Sequence, residues 1–195
     1  MKSLRIAFAV VALALVSAPA LAQLSGTDSQ MFIDAVKKRD GDKATQLITS
    51  HPTIIDTRAE DGDTGLIITL RASDSDWAGY LLNKGADPNL PGRNGDTPLI
   101  AAAKASFDQG AEWLISLGAK VDETNRSGET PLIIAVQQRD ERLVRLLLAH
   151  GADPDHTDSV AGYSARDYAA RDEHARAILK LINDKKPKPA TAAAN

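Results

Sequence analysis

The 195-residue sequence contains no cysteine. It therefore cannot form a disulfide, a thiolate nucleophile, a cysteine-based zinc site or a lipid-modified N-terminal cysteine. It also lacks an excess of positive charge, since 23 Lys and Arg residues face 26 Asp and Glu residues. A general nucleic-acid binder should be basic overall, so we expect no nucleic acid among the partners of this protein.

Recognisable catalytic motifs are missing as well. No glycine-rich phosphate loop opens a helix, and no nucleophile elbow is present. None of the four histidines has a recognisable nucleophile partner in the sequence. We therefore expect a protein that is not an enzyme and that needs no cofactor.

Long apolar runs are confined to the N-terminus. Lys2 and Arg5 precede an uncharged apolar run over residues 6–16, and residues 20–22 match the A-x-A cleavage pattern. These features predict a secretory signal peptide over residues 1–22. We expect export, to a bacterial periplasm, and no stable membrane insertion after cleavage.

An uncleaved membrane anchor is the alternative for this N-terminal segment. The apolar stretch over residues 6–24 is barely long enough to span a bilayer. Ser17, Pro19 and Gln23 interrupt it. The sequence therefore favours the signal peptide, with cleavage before Gln23.

One stretch recurs with a period of 33 residues. Its copies are NGDTPLIAAA at 94–103, SGETPLIIAV at 127–136 and a weaker DGDTGLIITL at 61–70. A second landmark, Gly-Ala-Asp or Gly-Ala-Lys, keeps the same period at 85–87, 118–120 and 151–153. Two independent landmarks with one period indicate a repeat architecture.

The copy that begins at residue 94 shows what each unit predicts. Gly95 permits the positive φ of a tight turn, and the Thr97 hydroxyl can accept from the free N–H groups of the next turn. Pro98 suits the first helical position. A second helix then ends at Gly118. Each unit is therefore a turn followed by two helices, and it completes its core only by stacking on its neighbours.

These residues resemble the ankyrin repeat family. The resemblance covers about residues 31–183 and implies an all-α ankyrin-repeat solenoid, in which helix–turn–helix units stack and their turns protrude. The family usually has a histidine after Thr-Pro-Leu, and this sequence has isoleucine there, at Ile67, Ile100 and Ile133. Apolar packing should therefore replace the hydrogen bonds that the histidine makes in the family. The family usually has a glycine between the two helices of a unit. This sequence has Ser73, Ser106 and Arg139 at that position. Gly65 replaces the usual proline.

The expected organisation follows from this register. We predict a flexible lead-in at 23–30, an N-terminal capping unit at 31–60, and ankyrin units at 61–93, 94–126 and 127–159. A degenerate, charged capping unit follows at 160–184, and a disordered tail at 185–195. We expect a monomer.

The resemblance implies that turn tips and inner helices form a concave surface for a partner protein. Counted by register, the inner-helix row of this surface is Lys37, Arg71, Lys104, Gln137 and Arg171. The turn residues that we expect to contact the partner are Arg93, Asp96, Arg126 and Glu129. Four of the five residues in the inner-helix row are basic, and we expect this row to meet acidic side chains on the partner.

A different class of function centres on residues 150–156. His150, Asp153, Asp155 and His156 lie close together in the sequence and could supply nitrogen and oxygen ligands. This alternative is a metal-binding or small-ligand-binding protein, or an enzyme, that uses the His150–His156 region.

Overall fold

The computed structural model describes residues 26–184. The predicted signal peptide and the predicted tail lie outside these residues. Between residues 26 and 184 the chain forms ten α-helices and no named strand. No helix in this range is both long enough and apolar enough to cross a bilayer.

The ten helices form five consecutive hairpins, each with an inner and an outer helix. The inner helices are α1 (Gly26–Lys38), α3 (Gly65–Arg71), α5 (Pro98–Lys104), α7 (Pro131–Gln137) and α9 (Ala165–Arg171). The outer helices are α2 (Gly41–Ser50), α4 (Ser75–Asn83), α6 (Asp108–Ser116), α8 (Glu141–Ala149) and α10 (Arg176–Asp184). Short 3₁₀ turns occur at Pro52–Asp56 and Arg93–Gly95.

The inner helices begin as the repeated stretch predicts. Oγ1 of Thr97 accepts a hydrogen bond of 3.2 Å from the Ile100 amide, and Pro98 is the first residue of α5. The same cap recurs at Thr64 and Thr130. In the last unit Ser164 forms a reciprocal capping box with Asp167, one residue later than the period requires.

The hairpins stack so that each inner helix contacts the next inner helix and the outer helices from α4 onward do the same. The three isoleucines that replace the family's histidine are each 0% exposed. The expected apolar contact between units is therefore confirmed at Ile67, Ile100 and Ile133. One continuous core runs from α1 to α10.

The start of the first unit differs from the sequence prediction. Helix α1 begins at Gly26, so residues 26–30 are helical and belong to the capping unit rather than to a flexible lead-in. After this helix Arg39 takes the left-handed conformation, with φ 59°, and Gly41 opens α2 behind the Asp40 cap.

The loops between inner and outer helices keep a left-handed residue although glycine is absent. Ser73, Ser106 and Arg139 have φ values of 50°, 47° and 58°. The period of 33 residues thus preserves the backbone conformation where it does not preserve the residue type. A side chain at positive φ carries a steric cost that glycine would not.

Candidate protein-binding face

The residues predicted to contact a partner lie on two kinds of element. Arg71, Lys104, Gln137 and Arg171 are the last residues of α3, α5, α7 and α9. The turns that precede the inner helices carry the other four predicted residues, Arg93, Asp96, Arg126 and Glu129. We call the surface formed by these turns and inner-helix ends the inner face.

Asp96 is the centre of a polar network beneath this face. Its side chain is 1% exposed and accepts hydrogen bonds from Lys104 Nζ at 2.8 and 2.9 Å and from Arg71 Nη2 at 2.8 Å. Nδ2 of Asn125, from the next turn, lies 3.2 Å from Asp96 Oδ1. One buried carboxylate therefore joins the ends of α3 and α5 to the turn that precedes α7.

The environment of Asp96 keeps it charged. Burial by itself would raise the pKa of the carboxyl group, but hydrogen bonds from Lys104 and Arg71 and the charge of Lys104 lower this pKa below its usual value. The buried anion is thus matched by two partly exposed cations.

Asp63 has the same role one unit earlier. Its side chain is buried, and its Oδ2 lies 3.1 Å from Nε of both Arg71 and Arg93. Its Oδ1 accepts a hydrogen bond of 3.0 Å from the Arg93 backbone amide. Arg93 also lies 3.4 Å from Asp61, so the charge of this predicted contact residue is compensated within the chain.

These contacts correct two of the predictions for the inner face. Asp96 is buried and cannot present its carboxylate to a partner. Arg71 and Lys104 are not free cations, because both are held by Asp96. Reversing the charge of Arg71 or Lys104 would place an anion beside the buried Asp96 carboxylate and destabilise the fold. A loss of partner binding in such a variant would therefore not identify a binding residue.

In the third full unit the acidic turn residue is less buried and has a different partner. Glu129, half-buried in its turn, accepts a hydrogen bond of 2.8 Å from Asn125 Nδ2. Gln137 is exposed at the end of α7. Arg126 is exposed at the turn tip, and across residues 26–184 its guanidinium has no hydrogen bond or ion pair. Its backbone amide donates to the Asn94 carbonyl of the neighbouring turn.

An aromatic group follows at the C-terminal end of the inner face. The Tyr163 and Tyr168 rings pack edge to face at 5.6 Å, and the Arg171 guanidinium lies 3.9 Å from the Tyr163 ring centroid. The Tyr168 hydroxyl donates a hydrogen bond of 2.7 Å to Asp158 Oδ2. This end of the face therefore combines tyrosine and arginine, the residue types that most often dominate binding energy at protein interfaces.

Asp158 and Asn125 are functional neighbours of this face that sequence reasoning missed. Oδ1 of Asp158 accepts from three backbone amides of its own turn, and Oδ1 of Asn125 accepts from two. The two residues are 33 positions apart, which was the available signal. It was hidden because Ala59 and Gly92 occupy the same register position in the earlier units.

A steric reason explains why glycine occupies position 92, where the later units have Asn125 and Asp158. A Cβ at Gly92 would lie 2.5 Å from Asp63 Oδ1, so the carboxylate of the preceding turn fills the space of the missing side chain.

Within residues 26–184 the His150–His156 region does not assemble a metal-binding cluster. His150 and His156 are exposed, and the Asp155 carboxylate is held by Arg166 at 2.7 Å. Asp153 accepts a hydrogen bond from the Asp155 amide. Over the described part of the chain, no three or more His, Asp or Glu residues form a group that could hold a metal ion.

The fold and this face together define a helical repeat protein of stacked hairpins with an open, polar inner surface. A family model described as ankyrin repeats (three copies) matches residues 32–125 and again residues 111–191. The chain therefore belongs to the ankyrin repeat family, whose members generally mediate protein–protein interaction and are typically not enzymes. Comparison with curated proteins gives no match.

Proposed function

We propose that this protein is a non-catalytic binding scaffold of the bacterial cell envelope, which holds a partner protein on the inner face. One observation carries the proposal: the repeated residues that open each inner helix are buried, and residues that differ between units at the end of the helix are exposed. Thr97, Pro98 and Leu99 are buried, whereas Lys104 and Gln137, at one register position, are exposed. The start of each inner helix therefore serves the fold, and its exposed end remains for recognition.

The geometry of the inner face suits this function. The side chains that vary stand at the ends of helices whose opposite sides are packed in the core, so the backbone that presents them is rigid. A rigid surface loses little conformational entropy when it binds.

Photo-crosslinking in cells tests the binding face. A photoreactive amino acid at position 137 should give a discrete cross-linked product, because Gln137 is exposed on the inner face. The matched control is position 145 on the outer helix α8, because Arg145 is also exposed. A product from position 145 alone would move the interface to the outer side.

Export is the second part of the proposal, and it is supported by the basic, apolar and A-x-A pattern of residues 1–22. Cell fractionation should recover the protein from the periplasm with Gln23 as its first residue. A chain that still begins at Met1 would rule out cleavage.

A further inference from the structure

The acidic position of the turns is matched by cations in the first two full units and not in the third. Asp63 lies 3.1 Å from two arginines, and Asp96 is bound by Lys104 and Arg71. Between residues 26 and 184 Glu129 forms no ion pair, and the only side chain that donates to it is that of Asn125. A half-buried carboxylate is thus left without a counter-charge.

The register explains why the cation is missing. The residue eight positions after the acid supplies it within the same unit, as Lys104 does for Asp96. Eight positions after Glu129 stands Gln137, which is neutral. The preceding unit cannot compensate, because the Lys104 ammonium is already bound to both oxygens of Asp96.

Two residues define the position where this cation would lie. Glu129 stands at the register position of Asp96, and Gln137 stands at the register position of Lys104. Because Lys104 Nζ reaches both carboxylate oxygens of Asp96, the same register places the end of α7 beside Glu129. We call Glu129 and Gln137 the acceptor site.

We propose that the acceptor site binds a lysine or arginine side chain of the partner protein, whose cation pairs with Glu129 as Lys104 pairs with Asp96. This inference rests on the proposed function of the inner face. The amide oxygen of Gln137 can accept a further hydrogen bond from an ammonium or guanidinium group. A metal ion fits less well, because one carboxylate and one amide oxygen supply too few ligands.

The partner's chemistry can be tested before the partner is known. A phage library of random linear peptides is selected against the exported protein. Peptides that bind the inner face should share one Lys or Arg, and replacing this residue by alanine should weaken binding about tenfold or more. Glu129→Gln should weaken the same peptides to a similar degree. Glu112→Gln, which removes an exposed carboxylate from the outer helix α6, is the matched control and should change nothing.

A second variant separates binding from folding. Gln137→Lys restores the cation that the register supplies in the earlier units, so it should occupy Glu129 and compete with the peptide. Peptide affinity should fall about tenfold while the melting temperature stays equal or rises. Gln109→Lys adds the same charge at an exposed position of α6 and should leave affinity unchanged.

The outcomes distinguish the two proposals. Peptides whose binding depends on Arg171 but that share no basic residue and ignore Glu129→Gln would overturn the acceptor site and leave the inner face as the binding surface. Peptides whose affinity is unaffected by Gln137→Trp and Arg171→Ala would overturn the inner face itself.

Discussion

Arg71 joins the turns of two successive units, because its guanidinium lies 3.1 Å from Asp63 Oδ2 and 2.8 Å from Asp96 Oδ2. The arginine belongs to the first of these units and Asp96 to the second. Stacking here is thus not only apolar, since a charged side chain specifies which turns are neighbours.

The first prediction concerns Asp96→Asn. This change leaves Arg71 and Lys104 facing a neutral, buried amide, so we expect the free energy of unfolding to fall by about 2–3 kcal/mol. The measurement is the urea midpoint at neutral pH. Glu60→Gln, at an exposed position of the turn that precedes α3, is the control and should change stability by less than about 0.5 kcal/mol. Equal midpoints for the two variants would show that the network does not stabilise the fold.

The second prediction is a loss of stability in acid. The folded-state pKa of Asp96 is lowered from its usual value of 3.8, because its cationic partners outweigh the effect of burial. The contribution of ionised Asp96 to the free energy of unfolding is therefore complete above about pH 4. It is lost as the pH falls through the lowered folded-state pKa. Asp158 acts in the same direction: burial opposes the shift, but the Tyr168 hydroxyl and three backbone amides lower its pKa.

Urea midpoints measured from pH 6 to pH 3 test this dependence. The wild-type midpoint should be nearly level at the upper end and should fall below about pH 4. Asp96→Asn should show a shallower fall, because one of the titrating groups has been removed. The same slope in both proteins would assign the acid sensitivity to other carboxylates.

The third prediction uses the left-handed loop residues. Ser73 has φ 50° and lies exposed between α3 and α4. Ser73→Gly relieves the steric cost of a Cβ at positive φ, so we expect stability to rise by about 0.5–1 kcal/mol. Thermal unfolding measures the gain. Ser75→Gly is the control: Ser75 is the first residue of α4, where no left-handed backbone is relieved, so stability should not rise.

How far the sequence predicts this molecule depends on whether a residue acts within its own unit. Thr97, Pro98 and Gly118 act locally, so the period and general helix chemistry were enough to predict the helices and their ends. Asp96 contacts Arg71 of the preceding unit and Asn125 of the following turn, and its burial follows from stacking geometry, which a repeat pattern does not contain. Its side chain was therefore predicted on the surface although it lies inside.

The same reasoning explains the mixed result for the inner-helix row. Register alone placed Lys104 and Gln137 at equivalent positions, and the structure confirms that equivalence. Whether a cation there is free depends on the acidic residue of the turn that precedes its own helix, which is Asp96 for Lys104. That carboxylate is buried among the stacked units, and the repeat pattern does not show this burial.

The last prediction tests the apolar contact between units at Ile100. This residue is 0% exposed in α5, whose neighbours on either side are α3 and α7. Ile100→Asn buries an amide without a designed partner and removes apolar contacts, so we expect a loss of about 3 kcal/mol or more. Ile100→Val removes one methylene and should cost about 1 kcal/mol, which separates the polar effect from the loss of volume. Urea unfolding of both variants measures the difference. If Ile100→Asn were no worse than Ile100→Val, a polar side chain would be tolerated between the units, and the apolar seam would not be what holds α5 to its neighbours.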